Sequence, residues 1–221
     1  MAIVASDKSR LPKKIGGNYQ VKKLSVNSRR TLTAREIILA REVFKDSIDY
    51  STVKIINGGL LGIPNASNNA MTPFGSIHLP SKDYNEIKDF GLSGVKSSLK
   101  IWFIHEMTHV LQYQHGFNNA RAGINTGING GYTERALAYE YSLLDKNKKF
   151  NEYNMEQQAE IVSHYFDATH VHETPHDRPN SYKAHISKLP DLKRVLSEFL
   201  TNPDNDKLIS TSRGQENYWF D

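Results

Sequence analysis

The sequence contains no cysteine. Disulfides and thiolate metal sites are therefore excluded, and any transition metal must be held by histidine and carboxylate side chains. No stretch is long and apolar enough to cross a bilayer, so no membrane span is expected. The opening MAIVASDKSRLPKK places its charges after a short apolar stub, the reverse of a secretory signal. Export, if it occurs, is then expected to depend on another machine. Acidic residues are nearly missing from the amino end: residues 1–35 hold nine Lys or Arg against Asp7 alone, while the whole chain carries only +4. Tyr19 is the single aromatic there, too little for base stacking, so nucleic acid is not an expected partner. The segment reads as a solvated basic arm.

What is present suffices for one core. A chain of 221 residues with 38% hydrophobic content fits a single elaborated domain, expected over 32–221 after a basic arm at 1–31. T-A-R-E at Thr33–Glu36 matches a capping box, and Ile37, Ala40, Val43 and Phe44 share a face, which predicts a helix from Ala34 to about Lys45. β-Branched residues predict strands at 52–57 and 75–79, joined by a Gly/Asn/Pro-rich loop. Residues 95–114 lack Pro and Gly and are apolar nearly all round, as in a buried helix, with His115-Gly116 as its stop. The Gly/Asn-rich stretch after it is expected to be a loop. Further helices are expected at 133–144, at 155–168 capped by Asn154, and at 191–200. The sum is a mostly helical α+β domain with a small sheet upstream of the 95–114 helix.

That helix carries His105-Glu-Met-Thr-His109. Residues four apart on a helix project side by side, so His105 and His109 can share one Zn²⁺ with a carboxylate and a water. Glu106 lies about 100° away around the axis, placed to act as general base on that water and not as a ligand. A third protein ligand has two candidates. His115 has the third-ligand spacing of the metzincin pattern HExxHxxGxxH, but Gln112 replaces the Gly that would let the chain leave the helix. Alternatively a later helix supplies a carboxylate, as in gluzincins. Glu156 and Glu160 are four apart, and the order of that pattern makes Glu156 the ligand and Glu160 the acceptor for a ligand imidazole's outer N–H.

Other polar residues are candidates for a role near the metal. Tyr132, Tyr139 and Tyr141 are candidate oxyanion donors, although Tyr139 and Tyr141, on a predicted helix with Leu137 and Leu143, fit a core face better than a catalytic role. His170, His172 and His176 form a cluster whose Pro175 favours a surface loop. His78 falls on a predicted strand that could pair with a substrate backbone.

The segments FIHEMTHVLQYQHG and YEYSLLDKNKKFNEYNMEQQAEIVSHYF, with LTAREIILAREVFKDSIDYSTVKIING and MTPFGSIHLP upstream, resemble the zinc metallopeptidase domains of type VI secretion effectors. These occur as extensions of valine-glycine-repeat spike proteins and as related free-standing toxins. The resemblance covers about Leu32 to Phe166. It implies a zincin-like, gluzincin-type site with Glu156 as third ligand, and a peptidase acting as an antibacterial toxin on a protein or peptide substrate in the target-cell periplasm. It also implies a cognate immunity protein and carriage by a spike or tube component, for no spike domain is recognisable in this chain. The rival reading is a metal-stabilised, non-hydrolytic binding module that contacts its partner through the basic amino end. Glu106 separates the two, because a purely structural zinc site has no use for a carboxylate beside an open position.

Overall fold

The computed structural model describes residues 27–58, 69–128, 138–170 and 177–209. The architecture is α+β and mostly helical, with one three-stranded sheet ordered β1-β2-β3 upstream of the long central helix. Strand β1 (Arg29–Thr31) runs antiparallel to β2 (Lys54–Asn57), with Arg30 opposite Ile55. Strand β3 (Ile77–Leu79) is parallel to β2, with Ile56 opposite His78. Ile55, Ile77 and Leu79 lie on the buried face. Residues 29–31 thus enter the sheet on the arm side of the boundary expected at residue 32.

The capping box forms at helix α1 (Ala34–Phe44). Glu36 N donates to Thr33 Oγ1 at 3.1 Å and Thr33 N to Glu36 Oε2 at 2.8 Å. Glu36 is fully buried, so a second task was invisible in the local pattern. Its carboxylate accepts two bonds from Arg30, each 2.8 Å, and one from Phe90 N at 3.0 Å. A buried carboxylate is tolerated only when so satisfied, and the result ties the sheet to α1 and to the turn at 89–91.

Short helix α2 (Ser81–Glu86) precedes α3 (Ser97–Gln114), the core of the molecule, where Phe103, Ile104, Met107, Val110 and Leu111 are buried. Helix α3 ends in a Schellman arrangement: Gly116, at φ +87°, donates to Tyr113 O at 3.0 Å and Phe117 N to Gln112 O at 2.9 Å. Its start is capped from far away in sequence, since Asp177 Oδ1 accepts from Ser98 N at 3.0 Å and Ser97 Oγ at 2.8 Å.

Three expectations are corrected. The Gly/Asn-rich stretch forms helix α4 (Asn119–Ile128), because Asn118 Oδ1 accepts Arg121 N at 3.0 Å and the buried Asn119 side chain pins its first turn. The helix expected at 133–144 is helical at 138–139 but not at 140–145, and 129–137 lie outside the described residues. Bonds from Gln157 Nε2 to Glu140 O, 2.7 Å, and from Tyr153 OH to Ser142 O, 2.8 Å, hold that segment out of a helix against its helical propensity. The expected 191–200 helix is broken at Leu196 into α7 (Leu189–Val195) and α8 (Ser197–Thr201).

Helix α5 (Met155–His170) packs mainly against α3, and α6 (Pro179–Ser187) lies against α5. Asn154 caps α5 by accepting Gln157 N at 2.8 Å, and Gln157 Oε1 accepts Asn154 N at 3.2 Å in return. The α3–α5 pair is what brings the distant sequence motifs together.

Candidate metal centre

Side chains one turn apart on α3 meet one from the first turn of α5. His105 Nε2 and His109 Nε2 lie 3.2 Å apart, and Glu156 Oε2 is 3.3 Å from the first and 3.2 Å from the second. Bonds of about 2.0–2.1 Å to a tetrahedral ion place neighbouring donor atoms about 3.3 Å apart. The near-equal triangle matches that spacing, whereas a charge-assisted hydrogen bond would draw one pair to about 2.7–2.9 Å. His105, His109 and Glu156 are the group of three such side chains, among the described residues, that could hold a metal ion.

Both imidazoles present Nε2 to the centre because their Nδ1 atoms face acceptors. His109 Nδ1 is 2.7 Å from Gln112 Oε1, and His105 Nδ1 is 3.5 Å from Glu160 Oε1. Burial alone would pull the His109 pKa down. The Glu156 carboxylate outweighs it, with Glu106 and Gln112 adding to the effect, and raises it. Burial likewise favours a neutral Glu156, yet His109 and His105 hold its pKa far below the usual carboxylate range. Glu156 is therefore an ionised donor at neutral pH.

Glu106 lies beside this triangle, its charge felt at His109. Its Oε2 accepts from Thr72 Oγ1 at 2.7 Å. Thr72 is in turn fixed by Asn119, whose Nδ2 donates to Thr72 O at 3.0 Å and to His109 O at 2.6 Å. One buried amide thus locks the loop carrying Thr72 to the helix carrying the histidines.

The remaining candidates are placed as follows. His115 is not in the triangle: its Nε2 lies 3.7 Å from Asp204 Oδ1. Tyr139 is beside His105, ring centres 6.1 Å apart, while Tyr141 OH is 2.7 Å from His164 Nδ1. His170 ends α5 and stacks on Phe166 at 5.5 Å; Tyr132, His172 and His176 lie outside the described residues. At His78 the outer edge of β3 pairs with Met71, His78 N donating to Met71 O at 2.8 Å, so backbone addition of a substrate is closed at that residue. Gln112, Thr72 and Asn119 escaped the sequence reading. For Gln112 a signal existed, since it lies three residues beyond His109 on the same helix.

No protein-family model matches the chain. The type VI secretion system spike protein VgrG2b of Pseudomonas aeruginosa is 36% identical over 138 residues, 62% of this chain; the match spans only 13% of that much longer protein. The solved effector domain of Pseudomonas aeruginosa VgrG2b superposes with a TM-score of 0.57 at 29% identity, covering 78% of this chain and 88% of that domain. The chain is therefore similar, in sequence and in fold, to the effector domain of a type VI secretion spike protein.

Proposed function

We propose that this chain is a zinc-dependent peptidase of zincin-like type, delivered by type VI secretion as an antibacterial effector. The observation that carries the reading is the donor triangle of His105, His109 and Glu156 with Glu106 beside it. Two imidazoles, neutral once metal binding displaces the proton that Glu156 favours on His109, and a carboxylate are a donor set suited to Zn²⁺ and leave a fourth position for water or substrate. An ion held there would supply Lewis acidity toward a peptide carbonyl and toward water.

The chain's own residues supply the rest. Thr72 occupies Glu106 Oε2, so Oε1 is the atom that takes the proton of the attacking water and returns it to the leaving amine. A structural metal site would not require such a carboxylate, still less one fixed by a two-residue support. Tyr139, next to His105, is the described tyrosine best placed to donate to a developing oxyanion. Similarity to the VgrG2b effector domain supports type VI delivery, with a spike component as carrier; the target-cell periplasm as destination and a cognate immunity protein in the producer complete the proposal.

Glu106→Gln tests this. Zinc content should stay near about one per chain while hydrolysis of an unfolded protein substrate falls about a thousandfold. Toxicity on periplasmic expression in a susceptible bacterium should vanish with it. Undiminished hydrolysis in the variant would defeat the enzyme reading, and toxicity confined to cytoplasmic expression would defeat the periplasmic one.

A further inference from the structure

Glu156, Glu160 and His164 are spaced four apart on α5, and the first two reach the α3 histidines. Beyond Glu160 this row continues into a polar chain that the chemistry above does not use. Glu160 Oε2 lies 2.9 Å from His164 Nε2, and His164 Nδ1 lies 2.7 Å from Tyr141 OH. His164 also stacks on His185 of α6, ring centres 3.9 Å apart and planes 22° apart. His185 Nδ1 is itself 2.7 Å from the buried Asp167 Oδ2.

The partners fix the tautomer. A carboxylate only accepts, so Nε2 carries the hydrogen toward Glu160, and Nδ1 then accepts from the Tyr141 hydroxyl. Both bonds are satisfied by a neutral ring, and burial lowers the His164 pKa, which favours that form against the opposing pull of Glu160. The near-parallel rings of His164 and His185 direct their in-plane lone pairs alongside each other, so the pair does not converge on a second ion. Its geometry suits support instead.

We propose that His164 is a positioning residue of the metal centre: it holds Glu160 in place as the acceptor for His105 Nδ1–H. Through Tyr141 it also anchors the non-helical 140–145 segment, next to Tyr139 on the wall of the site. The proposal rests on reading His105, His109 and Glu156 as a zinc centre.

Two polar substitutions separate the contacts. Gln can reach the Nε2 position and donate to Glu160, whereas Asn reaches only the Nδ1 position facing Tyr141. The zinc dissociation constant of the full chain is measured by competition with a chromophoric chelator, with melting of the metal-free protein as a check on folding. His164→Gln should stay within about twofold of wild type and His164→Asn should bind about tenfold more weakly, at the low end for residues behind a ligand. In a Glu160→Ala background, which removes the acceptor altogether, the Asn substitution should cost nothing further, because its route to the metal is already cut. An equal loss in both backgrounds, or none in the wild-type background, overturns the proposal. Failure of wild type to bind zinc would instead overturn the metal reading on which it stands.

Discussion

Gln112 Oε1 lies 2.7 Å from His109 Nδ1, and a relay of amides dictates that it is the oxygen that faces the ring. Gln158 Nε2 donates to Phe150 O and Leu208 O, which leaves Gln158 Oε1 to accept from Gln112 Nε2 at 3.0 Å. Gln112 Nε2 also reaches Met155 O at 3.1 Å, so its Oε1 is left to accept from His109. His109 Nδ1 must then carry a hydrogen, and the Nε2 lone pair points to the centre. The residue that departs from the metzincin pattern thereby acquires its own purpose, orienting a ligand where Gly would have released the helix.

Replacing Gln112 with Met keeps the volume and removes the acceptor. Zinc affinity should fall about 10- to 100-fold, the range for loss of a group that orients a ligand imidazole. Competition with a chelator of known affinity reads this directly. An unchanged constant would mean that packing alone aims the ring.

The two ligand schemes make opposite predictions. Glu156→Ala removes one corner of the triangle and should lose stoichiometric zinc, whereas His115→Ala, whose ring faces Asp204, should retain it. Metal analysis of both purified variants decides, and the reverse pattern would reassign the third ligand.

Local pattern carried much of this in advance. The HEMTH spacing, the Thr33 capping box and the apolar girdle of α3 are encoded within a few residues of one another, and each is present in the structure. What stayed illegible depends on contacts between distant segments. Composition places Arg30 in a basic arm, yet it neutralises the buried Glu36. Asn119 sits in a stretch whose composition suggests a loop, and its bonds to His109 O and Thr72 O, together with the Asn118 cap on Arg121 N, explain why a helix starts there. Periodicity also misled at Tyr141, whose hydroxyl is drawn to His164 and out of helical register.

Thr72 is expected to matter for turnover and not for metal. Thr72→Val is close in shape and removes only the hydroxyl that holds Glu106 Oε2. A hydrogen bond to a charged group contributes about 1.5–3 kcal/mol, so the catalytic rate should fall about ten- to a hundredfold while zinc content is unaltered. Steady-state hydrolysis with metal analysis on the same preparation separates these effects, and loss of metal would reassign Thr72 to the ligand support.

Asp177 makes the stability of the metal helix depend on acidity. Its carboxylate accepts Ser98 N at 3.0 Å, Ser97 Oγ at 2.8 Å and Ser98 Oγ at 2.5 Å, at the positive end of the α3 dipole. Slight burial would raise its pKa, but the Ser98 and Ser97 bonds prevail and lower it to about 2. A carboxylate whose folded pKa lies below its unfolded value of about 3.9 stabilises fully above that value and loses the contribution as pH falls through about 2. Since Asp177 is exposed, the full shift overstates the effect, and about 1 kcal/mol near neutrality is the expected contribution. Asp177→Ala should therefore melt about 2–4 °C below wild type at pH 7, with the gap narrowing steadily between pH 4 and pH 2. Thermal melts of the two metal-free proteins across that range supply the check, because zinc would impose its own pH dependence. A gap that stays constant into acid would show that Asp177 acts through packing and not through its charge.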